Sequence, residues 1–169
     1  MFEQVGHISD RIKTGVEGHA STSADTNDDP AGTWDVGDLL AETDFLLPNA
    51  AEAVRLAGAG STREAAARLA RRGPAVVVKD GAEGAFSCHH GEFAFAPGNP
   101  VTAVDTVGAG DSFDAGFLAG VLAGLPLATA LRCGVVCGGF SVRARGGTAG
   151  QATWDDVLVH LERTGSDPA

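Results

Sequence analysis

Apolar positions along this chain fall into short blocks separated by turn residues, and the blocks alternate in period. The first twenty residues show only weak periodicity and predict a poorly defined helix or tail, so segment 1–20 is set apart from a single domain over 21–169. Residues 21–27 (STSADTN) read as a short strand ending in polar residues, and 28–32 (DDPAG) as a turn. Asp35 to Ala41 predicts a short helix. DFLLPN predicts a buried strand stopped by Pro48 and Asn49. Asn49 suits an N-cap, with a helix through AAEAVRLA that Gly58 ends. Thr62 is expected to cap a second helix, closed by Gly73-Pro74. AVVVKDG, with its β-branched run, predicts a parallel strand buried on both faces. GAFSCHH and EFAFAP predict a hairpin around Gly91. Helices are expected from Ser112 to Ala123, from Pro126 onward, and from Trp154 to about Glu162 behind a Thr153 cap, with RARGGTAG as a loop. Strands alternating with helices predict an α/β fold, a three-layer, mostly parallel sheet flanked by helices.

Composition narrows the function. The net charge of −10 argues against a nucleic-acid surface, which needs a basic face. Arg63, Arg68, Arg71 and Arg72 read as the solvated face of a helix. Three cysteines, Cys88, Cys133 and Cys137, are too few and too odd for a disulfide scaffold and read as small buried hydrophobes. The histidines of CHH alternate faces in a strand and do not converge on one metal ion. The opening residues are polar and lack the apolar core of a leader. The apolar span Ala115–Val142 is interrupted by Pro126 and Arg132, which predicts two buried helices and no membrane contact. A cytoplasmic location is expected.

The stretch VDTVGAGDSF places Gly108, Ala109 and Gly110 between Asp105 and Asp111, directly before an apolar helical run. A helix starting here leaves its first amides without partners, and small residues let an anion approach them. Such an anion hole suits a transferring phosphoryl group. Asp111 beside it either caps the helix or accepts a proton from an attacking hydroxyl. No Gly-x4-Gly-Lys-[Ser/Thr] occurs. GAGSTR at 58–63 lacks the third glycine of a dinucleotide fingerprint.

DTVGAGDSFDAGFLAG closely resembles the C-terminal signature of the ribokinase-like, PfkB-type carbohydrate kinases: Asp105, Thr106, Gly108, Ala109, Gly110, Asp111, Phe113 and Gly116 all fall in place. LLPNAAEA resembles that family's Asn-x-x-Glu element at Asn49 and Glu52. VVVKDGAEGA resembles its Lys-x-Gly-x-x-Gly turn at Lys79, Gly81 and Gly84. The resemblance spans roughly residues 21–162 and implies an ATP-dependent kinase acting on a small sugar or sugar acid. It implies Asp111 as the base, with Gly108, Ala109 and Gly110 as the anion hole. Asn49 and Glu52 would place Mg²⁺ and phosphates through water. Lys79, Asp80, Gly81 and Gly84 would border the nucleotide. Asp105 and the Val107 carbonyl, with the loop at Arg145–Gly147, would hold a monovalent cation such as K⁺. On the residues alone, each has another reading. Asn49 and Glu52 make a helix cap and a first-turn acid, Lys79 ends a strand in water, and Asp105 caps a turn. Arg143 and Arg145 read equally as surface charges.

The family's first strands, its sugar-binding glycine and aspartate motifs and its β lid have no counterpart in this sequence. SADTNDDPAGTWD resembles the segment that follows them in 2-keto-3-deoxygluconate-type kinases. Two alternatives therefore stand beside the sugar kinase: a catalytically silent nucleotide-binding module, and a nucleoside kinase of the same fold. An uncovered sheet edge is expected to draw a partner or a second copy into a homo-oligomer.

Overall fold

The structure, a computed structural model, describes residues 12–13, 20–26 and 36–165. The DDPAG turn and most of the first twenty residues lie outside the described residues. Where the sequence predicts a tail, Ile12–Lys13 (β1) pairs antiparallel with Ala20–Ser21 (β2). A five-stranded sheet follows in the order β3-β4-β5-β6-β7. Its strands are Ser23–Ala24 (β3), Phe45–Leu46 (β4), Ala75–Lys79 (β5), Gly84–His89 (β6) and Glu92–Pro97 (β7). β3 and β5 both run parallel to β4, which sets Ala24 beside Leu46 and Leu46 beside Val76. Two compact units form: one through Asp80 together with Phe86–Ala94, the other made of Gly81–Ala85 and Phe95 onward.

In the first unit, a 3-10 helix (Gly37–Glu42) leads into β4, close to the short helix predicted over 35–41. Helix α1 (Ala50–Ala57) ends at Gly58 in the left-handed conformation. Helix α2 (Thr62–Ala70) is capped by Ser61, one residue before the expected Thr62, because the Ser61 hydroxyl accepts the Glu64 amide. Leu46, Ala53, Ala65, Ala66, Leu69, Val76, Val78 and Cys88 form the core under these helices. The alanines let α1 and α2 lie close together over the sheet. Val76, Val77 and Val78 are fully buried, as the β-branched run requires. β6 and β7 are joined by His90 and Gly91, both at positive φ, which is the primed turn that suits a hairpin's twist. Arg63, Arg68, Arg71 and Arg72 are all exposed, as a solvated face requires. On that face Arg68 pairs with Glu64, and the Arg63 guanidinium lies 3.8 Å from the Phe93 ring centroid.

In the second unit, helix α3 (Ala109–Leu122) packs along α4 (Leu127–Ser141), and α5 (Trp154–Gly165) adds Val157 to a cluster with Cys133 and Val136. Small residues allow the close α3–α4 approach. A Cβ on Gly116 would lie 2.8 Å from the Cys133 carbonyl oxygen, and one on Gly134 would lie 2.9 Å from the Phe113 ring. α3 starts three residues before the predicted Ser112. Gly108 turns the chain at φ 75, and Ala109 and Gly110 are already helical, though neither carries a side chain that patterning could detect. Burial raises the thiols of Cys88 and Cys133, and pushes that of Cys137 up to about 11. No helix among the described residues is long and apolar enough to cross a membrane.

Candidate functional site

Two clusters carry the residues that the motifs single out, one in each unit. In the first unit they gather at the carboxyl ends of β3, β4 and β5, where open α/β sheets bind ligands. Asn49 follows β4 and bridges to Lys79 at the end of β5. Asn49 is the N-cap of α1. Its side chain accepts the Glu52 amide at 2.9 Å, and the Glu52 carboxylate accepts the Asn49 amide at 2.8 Å. This reciprocal capping box follows from the N-x-x-E spacing. Glu52 is only 5% exposed and also accepts the Thr26 hydroxyl at 3.0 Å. Asn49→Ala should therefore cost about 1 kcal/mol, read as a lower unfolding midpoint in urea.

Lys79 does not end its strand in water. Its ammonium lies 3.0 Å from the Asp25 carboxylate, with side-chain exposures of 12% and 27%. Asp25 and Thr26 follow β3 directly and so join Lys79, Asn49 and Glu52 at the same rim. The sequence places both at a polar strand end but gives neither a partner, because contacts across 54 and 26 residues leave no local spacing. Among the described residues, no three His, Cys, Asp or Glu side chains gather to hold a metal ion. Asn49 and Glu52 use oxygens in the cap. The donor set therefore fits a Mg²⁺ that keeps its water and arrives with nucleotide phosphates, and does not fit an ion caged by protein.

In the second unit, Asp105 locks the turn before α3. Its Oδ1 accepts the Val107 amide and its Oδ2 accepts the Gly146 amide, each at 3.0 Å. The loop that carries Gly146 and Gly147 thus rests on the turn. A Cβ on Gly147 would sit 2.9 Å from the Val107 carbonyl oxygen, and one on Gly108 would sit 3.1 Å from the Gly147 Cα. The expected grouping of Asp105, Val107 and residues 145–147 is present. Asp105 also has the turn role that its bare sequence allowed. The Gly146 amide, then that of Val107, holds the Asp105 carboxyl below its ordinary 3.8. Its contribution to the loop is complete above that value and is lost as pH falls through the lower folded one. Protection of the Gly146 and Val107 amides from hydrogen exchange should therefore fall on acidification below about pH 4. Asp105→Asn should show weaker protection already at neutral pH.

α3 begins without a side-chain cap, since Gly108 has none to offer. α1, α2 and α5, by contrast, start with Asn49, Ser61 and Thr153 accepting first-turn amides. Of the three expected anion-hole amides, that of Ala109 donates to the Thr106 carbonyl at 3.2 Å. The first amide returned to the helix is that of Ser112, to the Gly108 carbonyl at 2.9 Å. Gly110 and Asp111 thus lie in the turn whose amides a helix leaves without intrahelical acceptors. Asp111 is exposed there, at the third helical position. Gly81 and Gly84 differ. A side chain on Gly81 meets open space, whereas one on Gly84 meets backbone of residues 96–98. Gly84 thus has a packing reason of its own. Arg143 stacks its guanidinium 4.1 Å from the Phe140 ring centroid.

The sequence matches the pfkB family carbohydrate kinases over residues 18–154. It is 36% identical over 111 residues to fructoselysine 6-kinase of Shigella flexneri, which covers 64% of this chain and 40% of that protein. It is 35% identical over 130 residues to fructokinase of Klebsiella pneumoniae, covering 72% and 42%. Among solved structures, Arabidopsis thaliana ribokinase complexed with ribose and ATP superposes with a TM-score of 0.74 at 28% identity, over 83% of this chain and 47% of that one. A protein described as a ribokinase II from E. coli, in complex with ATP and Mg²⁺, gives 0.68 at 28%, over 74% and 41%. The fold is ribokinase-like, and the chain spans less than half the length of these relatives.

Proposed function

The chain belongs to the pfkB family of carbohydrate kinases, and from that premise we propose that it serves the transfer of the ATP γ-phosphoryl group to a hydroxyl of a small sugar or sugar acid. The uncapped start of α3, with Asp111 in its first turn, is the observation that carries this reading. Main-chain amides there, with the dipole behind them, favour the charge that spreads over a transferring phosphoryl group. Gly108 and Gly110 leave room for it. Asp111 accepts the proton of the attacking hydroxyl. The same reading assigns Lys79, Asp80, Gly81 and Gly84 to the nucleotide, and Asn49 and Glu52 to hydrated Mg²⁺. ATP and Mg²⁺ are bound by the ribokinase II relative, and ATP and ribose by the Arabidopsis enzyme. A monovalent cation, K⁺, belongs to the same reading at Asp105 and the Val107 carbonyl, because Asp105 keeps its negative charge. A chain that uses ATP in this way works in the cytoplasm. β3 and β7 are both outermost in the strand order, and an edge of this kind is where a partner or second copy would add.

The test joins calorimetry with Mg-ATP to coupled detection of ADP release over a panel of sugars, sugar acids and nucleosides. ADP release that depends on a sugar is the expected result. Binding without turnover on any acceptor would favour a silent nucleotide-binding module. Release with nucleosides alone would favour a nucleoside kinase, the activity named for a relative of 28% identity from Methanocaldococcus jannaschii. No binding at all would overturn the reading.

A further inference from the structure

We propose that Asp25 is a positioning residue for the nucleotide side of the site, acting through Lys79, with Thr26 steadying Glu52 beside it. The inference rests on the kinase reading above and adds to it the exit of β3, a segment to whose Asp25 and Thr26 no role is assigned above. Lys79 is nearly enclosed, at 12% side-chain exposure, and its ammonium meets the Asp25 carboxylate at 3.0 Å. An enclosed ammonium without a counter-ion loses its proton or its place. The next residue, Thr26, donates its hydroxyl to Glu52 at 3.0 Å. Two consecutive side chains thus tie the end of β3 to the ends of β5 and α1. Glu52 is already held by the Asn49 amide, so Thr26 adds a second donor to a carboxylate that is 5% exposed.

The consequence is geometric. Lysine is a flexible point charge, and its reach toward a phosphate depends on what fixes its head. Asp25 supplies that fixing from the position directly after β3, where Thr26 is in turn held to Glu52. The pair is neutral as a whole, so Asp25 orients the ammonium without adding net attraction for an anion.

The experiment uses the full chain and Mg-ATP calorimetry on wild type, Asp25→Asn, Lys79→Met and the double variant, with thermal melting of each. Asp25→Asn is expected to weaken Mg-ATP binding about tenfold, and to have less than about a twofold effect once Lys79 is Met. Asp25→Glu, which keeps the charge, should stay within about threefold of wild type. An unchanged or tighter affinity in Asp25→Asn, or a loss that persists beside Lys79→Met, overturns the assignment and leaves the kinase reading intact. A wild-type chain that does not bind Mg-ATP overturns the kinase reading, and this inference with it. Labelling of the nucleotide-free wild type with an amine-directed reagent, read by mass spectrometry, needs no variant to fold. Lys79 should label several-fold slower than a free lysine peptide, and an equal rate would also sink the proposal.

Discussion

Asp111→Asn is expected to lower the rate of ADP release by about 10²-fold or more, while Mg-ATP affinity stays close to that of wild type. The substitution keeps the size of the side chain and removes only its capacity to take a proton. Asp111 is exposed in the first turn of α3, so its replacement opens no cavity and orphans no buried partner. The helix should therefore remain, with its amides still at the service of phosphate. A loss confined to turnover separates a base from a cap, because a cap acts on stability and not on the chemical step. The check is a comparison of kcat, KM for ATP and melting temperature. Turnover equal to wild type would remove Asp111 from the mechanism, and a collapse in melting temperature would mark it as structural.

The largest effect on stability is expected at Gly84. A Cβ there would lie 2.1 Å from the Ala96 carbonyl oxygen, 2.5 Å from the Gly98 nitrogen and 2.7 Å from the Pro97 carbonyl carbon. All three are main-chain atoms, so no rotamer change relieves the clash. The backbone sits at φ 108, where a residue with a Cβ is strained even in open space. The fit is mutual, since a Cβ on Gly98 would meet the Ala82 carbonyl oxygen at 2.0 Å. Gly84→Ala should cost about 3 kcal/mol or more and yield little folded protein. Gly81 is the control. At φ 57 with nothing within 4 Å, Gly81→Ala should cost only about 1–2 kcal/mol. Urea unfolding of the two variants checks the contrast. Equal midpoints would mean that the β6–β7 base does not approach as described.

Much of the fold was legible because burial writes itself into local pattern. The valines of β5, the Gly58 stop and the Asn49 cap were all readable from neighbours a few residues apart. What escaped did so for definable reasons. Ala109 and Gly110 have too little side chain to register in any period, so α3 was started late. Ser61 and Thr62 are chemically equivalent as caps, and only geometry separates them. The Asp25–Lys79 pair joins the ends of two strands across 54 residues, which no spacing rule reaches. At the candidate site, the cap made by Asn49 and Glu52 was legible from its spacing, whereas the local duties of two glycine-turn residues were not. Ala109 closes a turn, and Gly84 accommodates a neighbouring backbone.

The thiols of α4 have a consequence for the oxidative environment. A sulfur whose proton leaves only near pH 11 is a thiolate in about one molecule in 10⁴ at neutral pH, and peroxides and alkylating agents attack the thiolate. Burial raises the Cys133 thiol too, so both sulfurs, packed between α3 and α5, are slow to enter sulfenic acid and disulfide chemistry.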